Sequence, residues 1–143
     1  MILGAIACLL LAGIFDNFRD VLVFKYEGSI FPQKAGEKFL GGTIDFWAVM
    51  KHPEGGQSWK GKYKDRDPSK GPAFPGATTW LAWTTDGWHL FQYFVLFFIG
   101  LAIGLITCHL QELHWAYSFL PILVVKLLFG TGWTVGDFIT RKR

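Results

Sequence analysis

Long apolar runs alternate with one long polar stretch along this chain. The clearest run is Trp88–Cys108, WHLFQYFVLFFIGLAIGLITC, which holds no formal charge unless His89 is protonated. A helix rising about 1.5 Å per residue covers the roughly 30 Å hydrocarbon core of a bilayer with about 20 residues. The run therefore predicts a membrane span over residues 86–108, with Thr85 or Asp86 as its N-cap. The chain opens on a second run, MILGAIACLLLAGIF. It lacks the positive flank and small-residue cleavage site of a signal peptide, and its helical pattern continues through DNFRDVLVF. The reading is an uncleaved first span over residues 2–24. A third span is expected over about 115–135, with Trp115 and Tyr117 at one interface and Trp133 near the other.

These runs predict an all-α integral membrane fold, a single unit of three transmembrane helices. A long aromatic and basic cytoplasmic segment, residues 25–79, joins helices 1 and 2. Small residues recur at helical spacing on the first span (Gly4, Cys8, Ala12), on the face that ends in Asp16 and Asp20. Gly100 and Gly104 make a GxxxG pair on the second span. The two rows predict that these helices pack on each other.

The polar stretch holds five of the six prolines, and its Phe31, Phe39, Phe46, Trp47, Trp59, Tyr63 and Phe74 make it too aromatic for a disordered linker. Within it Thr43–Met50, TIDFWAVM, reads as an interfacial helix with Ile44, Trp47 and Phe46 dipping into the headgroups. Gly55–Gly56 and Asp67–Pro68 read as turns.

Charge fixes the expected orientation. Of fourteen Lys and Arg, nine lie in the 25–79 segment and three form the tail Arg141–Lys142–Arg143; the others are Arg19 and Lys126. Three spans put segment and tail on one side, and the positive-inside rule makes that side the cytoplasm. The two cysteines lie in separate apolar runs, so no disulfide framework is indicated.

Candidate chemistry gathers at the cytoplasmic ends of the spans. At about 1.5 Å per residue Asp16 lies about 22 Å into the first span, with Arg19 and Asp20 beyond it. Asp86, His89 and Gln92 open the second span at the same level, and Lys126, about 16 Å into the third, has a side chain long enough to reach towards Asp16. An ionisable group in lipid costs at least about 2.5–3.5 kcal/mol, so these residues are functional candidates. Asp16, Asp20, Asp86 and His89 are the candidate catalytic set, with acid–base or hard-cation chemistry in view. The plainer alternative is structural: Asp16 paired with Lys126 or Arg19, Asp20 with Arg19 or Lys25, and Asp86 capping its helix. Arg19, Trp59, Lys60, Lys62, Lys64 and Arg66 are the candidate lipid-headgroup contacts. His109, Glu112 and His114 miss the HExxH spacing of a zinc site, and Gly130–Asp137 lacks the tyrosine of a potassium filter.

No nucleotide-binding, hydrolase or calcium-binding motif occurs, and no metal or cofactor is specified. The expected partners are the lipid bilayer and other membrane subunits or further copies of the chain, with no nucleic acid. The leading expectation is a non-catalytic subunit or scaffold of a membrane complex. The alternatives are an enzyme acting on an inner-leaflet lipid and an ion or proton pathway through Asp16 and Lys126.

Overall fold

The computed structural model describes residues 1–53 and 55–140; for 51, 55, 130 and 132–140 it describes the backbone only. The basic tail, Arg141 to Arg143, and the side chain of Trp133 lie outside the described residues. Regular structure is helical apart from one antiparallel ladder of two residues a side, β1 (Lys51–His52) with β2 (Gly55–Gly56). Four α-helices follow in order: α1 (Ile2–Phe24), α2 (Ile44–Trp47), α3 (Gly87–Leu110) and α4 (Leu120–Thr140). With 23 and 24 residues, α1 and α3 are both long and apolar enough to cross a membrane. Each is about 35 Å long, which exceeds the hydrocarbon thickness.

Helix α3 starts where a charged cap precedes an uninterrupted apolar run, and it ends at Leu110, before Glu112 turns the chain with φ 53°. The third apolar run does not become one α-helix from its first residue. Trp115–Phe119 form a 3-10 turn, and α4 begins only at Leu120. Pro121 suits this start: without an N–H it fits the first turn of a helix, where that donor has no partner.

The chain divides into two compact units, Met1–Gly13 with Phe94–Arg143, and Ile14–Tyr93. In the first, Ala5, Cys8 and Ala102 are buried, with Phe98, Leu101, Leu105 and Ile106 packed against them. The small-residue row of α1 therefore does meet α3. The glycine pair of α3, however, packs elsewhere. A Cβ on Gly100 would lie 2.7 Å from Ile122 Cα, and one on Gly104 would overlap the Ser118 carbonyl. GxxxG here admits the backbone leading into α4 instead of α1. Spacing along α3 identifies a close approach without identifying the helix that makes it.

The second unit is built on aromatic rings. Phe31 and Trp47 lie 5.0 Å apart between ring centroids, Trp47 and Phe91 5.4 Å, and Phe18 and Phe91 5.4 Å. Leu22 closes the cluster at 0% exposure. Aromatic contacts at these separations add about 0.5–1.5 kcal/mol each beyond area burial. The expected interfacial helix is corrected by this core. Only Ile44–Trp47 is α-helical, and Trp47 is 1% exposed, inside protein instead of among headgroups. Its indole N–H donates to the carbonyls of Phe39 (3.0 Å) and Gly42 (3.2 Å), which satisfies the one polar atom of a buried tryptophan. The connection from 25 to 79 thus contributes Tyr26, Phe31, Ile44, Trp47 and Ala48 to buried positions.

Candidate functional site

The start of α3 collects the densest polar chemistry among the described residues. Asp86 sits just before Gly87, at the N-cap position, where its carboxylate can meet unpaired helix N–H groups. One oxygen, Oδ1, accepts the backbone N–H of His89 at 3.0 Å. The other, Oδ2, lies 2.7 Å from His89 Nδ1 and accepts the Thr85 hydroxyl at 3.2 Å. The Asp86 side chain is fully buried, whereas that of His89 is 26% exposed. A buried carboxylate is tolerable because these groups replace the water it has lost. The contact with Nδ1 fixes the orientation of the imidazole.

One turn further along α3, Gln92 receives a hydrogen bond from the Arg19 guanidinium of α1. Arg19 also lies 2.6 Å from the Asp16 carboxylate and 5.5 Å from the centroid of the Trp88 ring. Trp88 in turn meets His89 edge to face at 5.1 Å. Arg19 is therefore a hub whose three partners come from two helices. Such a planar guanidinium suits simultaneous pairing and stacking better than a lysine ammonium does.

The sequence-proposed catalytic set divides accordingly. Asp86 and His89 touch; Asp16 is paired with Arg19 on its own helix; Asp20 is exposed and makes no ion pair among the described residues. No group of three His, Cys, Asp or Glu side chains comes together as a metal ligand set among the described residues. Asp16 and Lys126, the expected structural pair, belong to different units, and Asp16 already has a counter-charge within its own.

The proposed headgroup residues other than Arg19 lie on two successive 3-10 turns, Ser58–Lys62 and Lys64–Arg66. Lys60 lies over the Trp59 ring at 5.7 Å and Lys62 over Tyr63 at 5.6 Å, while Lys64 is exposed. Arg66 is turned inward: it donates to the carbonyls of Gly56 (3.0 Å) and Gln57 (3.2 Å) and lies 3.5 Å from Asp45. All three contacts run through one guanidinium nitrogen, Nη2, which helps to hold the loop. Asp67 accepts the backbone N–H and the hydroxyl of Ser69, and these bonds hold its carboxyl below the usual range.

Sequence reasoning missed a further constellation at the C-terminal end of α1. Val23, Phe24, Lys25, Tyr26 and Glu27, with Met50 and His52, line a cavity of about 280 Å³. The signal was present only as a mixed-charge stretch following an apolar run. Comparison with protein-family models, curated proteins and solved structures finds no match to this chain.

Proposed function

We propose that this chain is an integral membrane protein of three spans that serves as a non-catalytic subunit or scaffold, contacting lipid and the helices of other subunits or of further copies of itself. The observation that carries the reading is the apolar surface left uncovered. On α1, Leu3 is 83% and Leu10 66% exposed; on α4, Leu127 is 71% and Leu128 69% exposed. Exposed apolar areas beyond a few hundred Å² on a soluble chain mark interaction surfaces, and rows of leucine along whole helices suit lipid or another helix. In the proposed arrangement, residues 25–79 and the tail face the cytoplasm, and the Lys60–Lys64 turns lie near anionic headgroups. The test is alkaline carbonate extraction of native membranes, followed by the mass of the particle in mild detergent. Retention in the membrane, with a particle heavier than one 16.2 kDa chain plus its detergent, is expected. Release by carbonate, or a stable lone monomer, overturns the reading.

The contact between His89 Nδ1 and buried Asp86 favours a second reading, an enzyme acting on an inner-leaflet lipid. A carboxylate that orients an imidazole is a common support for a general base. In this form the chemistry rests on Asp86 and His89, without Asp16 or Asp20. Lipid turnover in vesicles that is lost in His89→Gln, with the fold intact, would support it; equal lipid composition with wild type and variant removes it.

A further inference from the structure

We propose that the cavity at the end of α1 binds the headgroup of an aminophospholipid, a phosphodiester carrying a primary ammonium. This inference rests on the membrane reading above, because it needs α1 to end at a lipid interface.

The lining of the cavity carries both signs of charge. Lys25 and His52 are the basic groups in its wall, and Glu27 is the acidic one. The last turn of α1 adds a further negative pole. The bond from Lys25 N–H to Val21 O, at 3.0 Å, closes the helix, and a helix end presents its final carbonyls with about half a negative charge. A site with a lysine and an imidazole on one hand, and a carboxylate and helix carbonyls on the other, matches a zwitterion. A purely anionic headgroup would meet the Glu27 carboxylate without compensation. A quaternary ammonium could not donate hydrogen bonds to Glu27 or to the carbonyls, whereas a primary ammonium donates three.

The apolar lining supplies the remaining match. Phe24 is 78% and Met50 62% exposed, so two large apolar side chains of the lining are open to a lipid surface. Glycerol and the first acyl carbons of a lipid would lie against them. The size also fits: about 280 Å³ is at the lower edge of small-molecule sites, which begin at about 300 Å³, and suits a headgroup better than a whole lipid. The wall is held in place. Tyr26 donates its hydroxyl to Pro32 O at 2.7 Å, and its ring meets His52 edge to face at 5.7 Å.

The experiment uses the full chain in nanodiscs of equimolar phosphatidylethanolamine, phosphatidylcholine and phosphatidylglycerol with identical acyl chains. Lipids retained after gentle release are counted by native mass spectrometry. Wild type should retain phosphatidylethanolamine about tenfold over phosphatidylcholine, as expected for charge-assisted hydrogen bonds to one ammonium. Glu27→Gln should abolish that preference, and Lys25→Gln should lower retention of both zwitterionic lipids. Lys38→Gln, at an exposed position outside the cavity wall, should leave the preference unchanged. Equal retention of all three lipids by wild type, a preference unchanged in Glu27→Gln, or zwitterionic retention unchanged in Lys25→Gln overturns the proposal. Soluble glycerophosphoethanolamine distinguishes the source: competition at the concentration of the lipid itself would make a free metabolite the ligand and overturn the membrane assignment. A chain released by carbonate defeats the functional reading; a membrane-integral chain without headgroup preference defeats this inference alone.

Discussion

At the scale of single residues, polar atoms decide more here than their number suggests. Asp86 caps α3, orients His89 and accepts from Thr85, all with one buried carboxylate. Asp86→Ala should destabilise the fold by about 1–3 kcal/mol, combining a lost cap with buried partners left unmatched. Asp86→Asn retains an oxygen for the His89 N–H and should cost less; thermal unfolding of the three proteins in one detergent gives the order. Tyr26 offers a pH-dependent counterpart. Burial, followed by the negative charge of Glu37, pushes its hydroxyl up from 10.0 to about 12. A raised pKa means that the folded state holds the proton more tightly, so its stabilisation is complete below pH 10 and disappears between pH 10 and about 12. Tyr26→Phe should flatten the stability profile in that alkaline window and leave neutral pH little changed apart from the lost bond to Pro32. An unchanged alkaline slope in the variant would exclude Tyr26 as its source. At the acidic end Glu37 acts in the opposite sense. The backbone N–H groups of Gln33 and Lys34 hold its carboxyl below the usual value, so that contribution is present above about pH 4.5 and fades as pH falls through the lowered value.

At the scale of elements, hydrophobic length was the legible quantity. The first helix, expected over 2–24, is Ile2–Phe24, and the second, expected over 86–108, is Gly87–Leu110; both are long and apolar enough to cross a membrane. Both follow from apolar runs with a polar stop, and the cap could be narrowed to Thr85 or Asp86, of which Asp86 accepts the His89 N–H. The partners of a face could not. Trp47 has the composition of an interfacial anchor, yet it is buried among Phe31, Phe39 and Phe91. Lipid and protein interior are both apolar, and an aromatic ring carries no mark of which will cover it. The candidate site divides in the same way. Asp86 and His89 are three apart on one helix, so their contact follows from helical spacing. Arg19 and Gln92 are separated by 73 positions, and no local pattern links them. The glycine pair yields the prediction at this scale. A methyl group on Gly104 would overlap the Ser118 carbonyl, and backbone yields less readily than a side chain. Gly104→Ala should therefore cost about 1–3 kcal/mol, the usual range for overpacking. Gly13→Ala, with open space around its Cβ, should be neutral or slightly stabilising because alanine favours the helix. Similar melting of the two variants would show that α3 and the segment before α4 do not approach as closely as described.

For the whole molecule, the proposed arrangement turns on which compartment each connection faces. Nine basic residues in the stretch 25–79 and none in the connector 109–114 make the two sides of α3 electrostatically unequal. If α3 crosses the bilayer, moving the basic side outward would carry many charges across a low-dielectric layer, whereas the connector can cross with only Glu112 and its histidines. The native thiols do not obscure a labelling test, because Cys8 and Cys108 are 7% and 2% exposed. Single cysteines placed at the exposed positions Lys64 and Gln111 therefore report on the two connections separately. With a membrane-impermeant maleimide on intact cells, Gln111→Cys should label at once and Lys64→Cys only after permeabilisation. Labelling of both before permeabilisation, or of neither, would mean that α3 returns to the side it left, in which case the three-span arrangement falls. Labelling with the opposite polarity would keep the spans and reverse the orientation. The cavity at the end of α1 would then face the outer leaflet, and its aminophospholipid would have to be drawn from there.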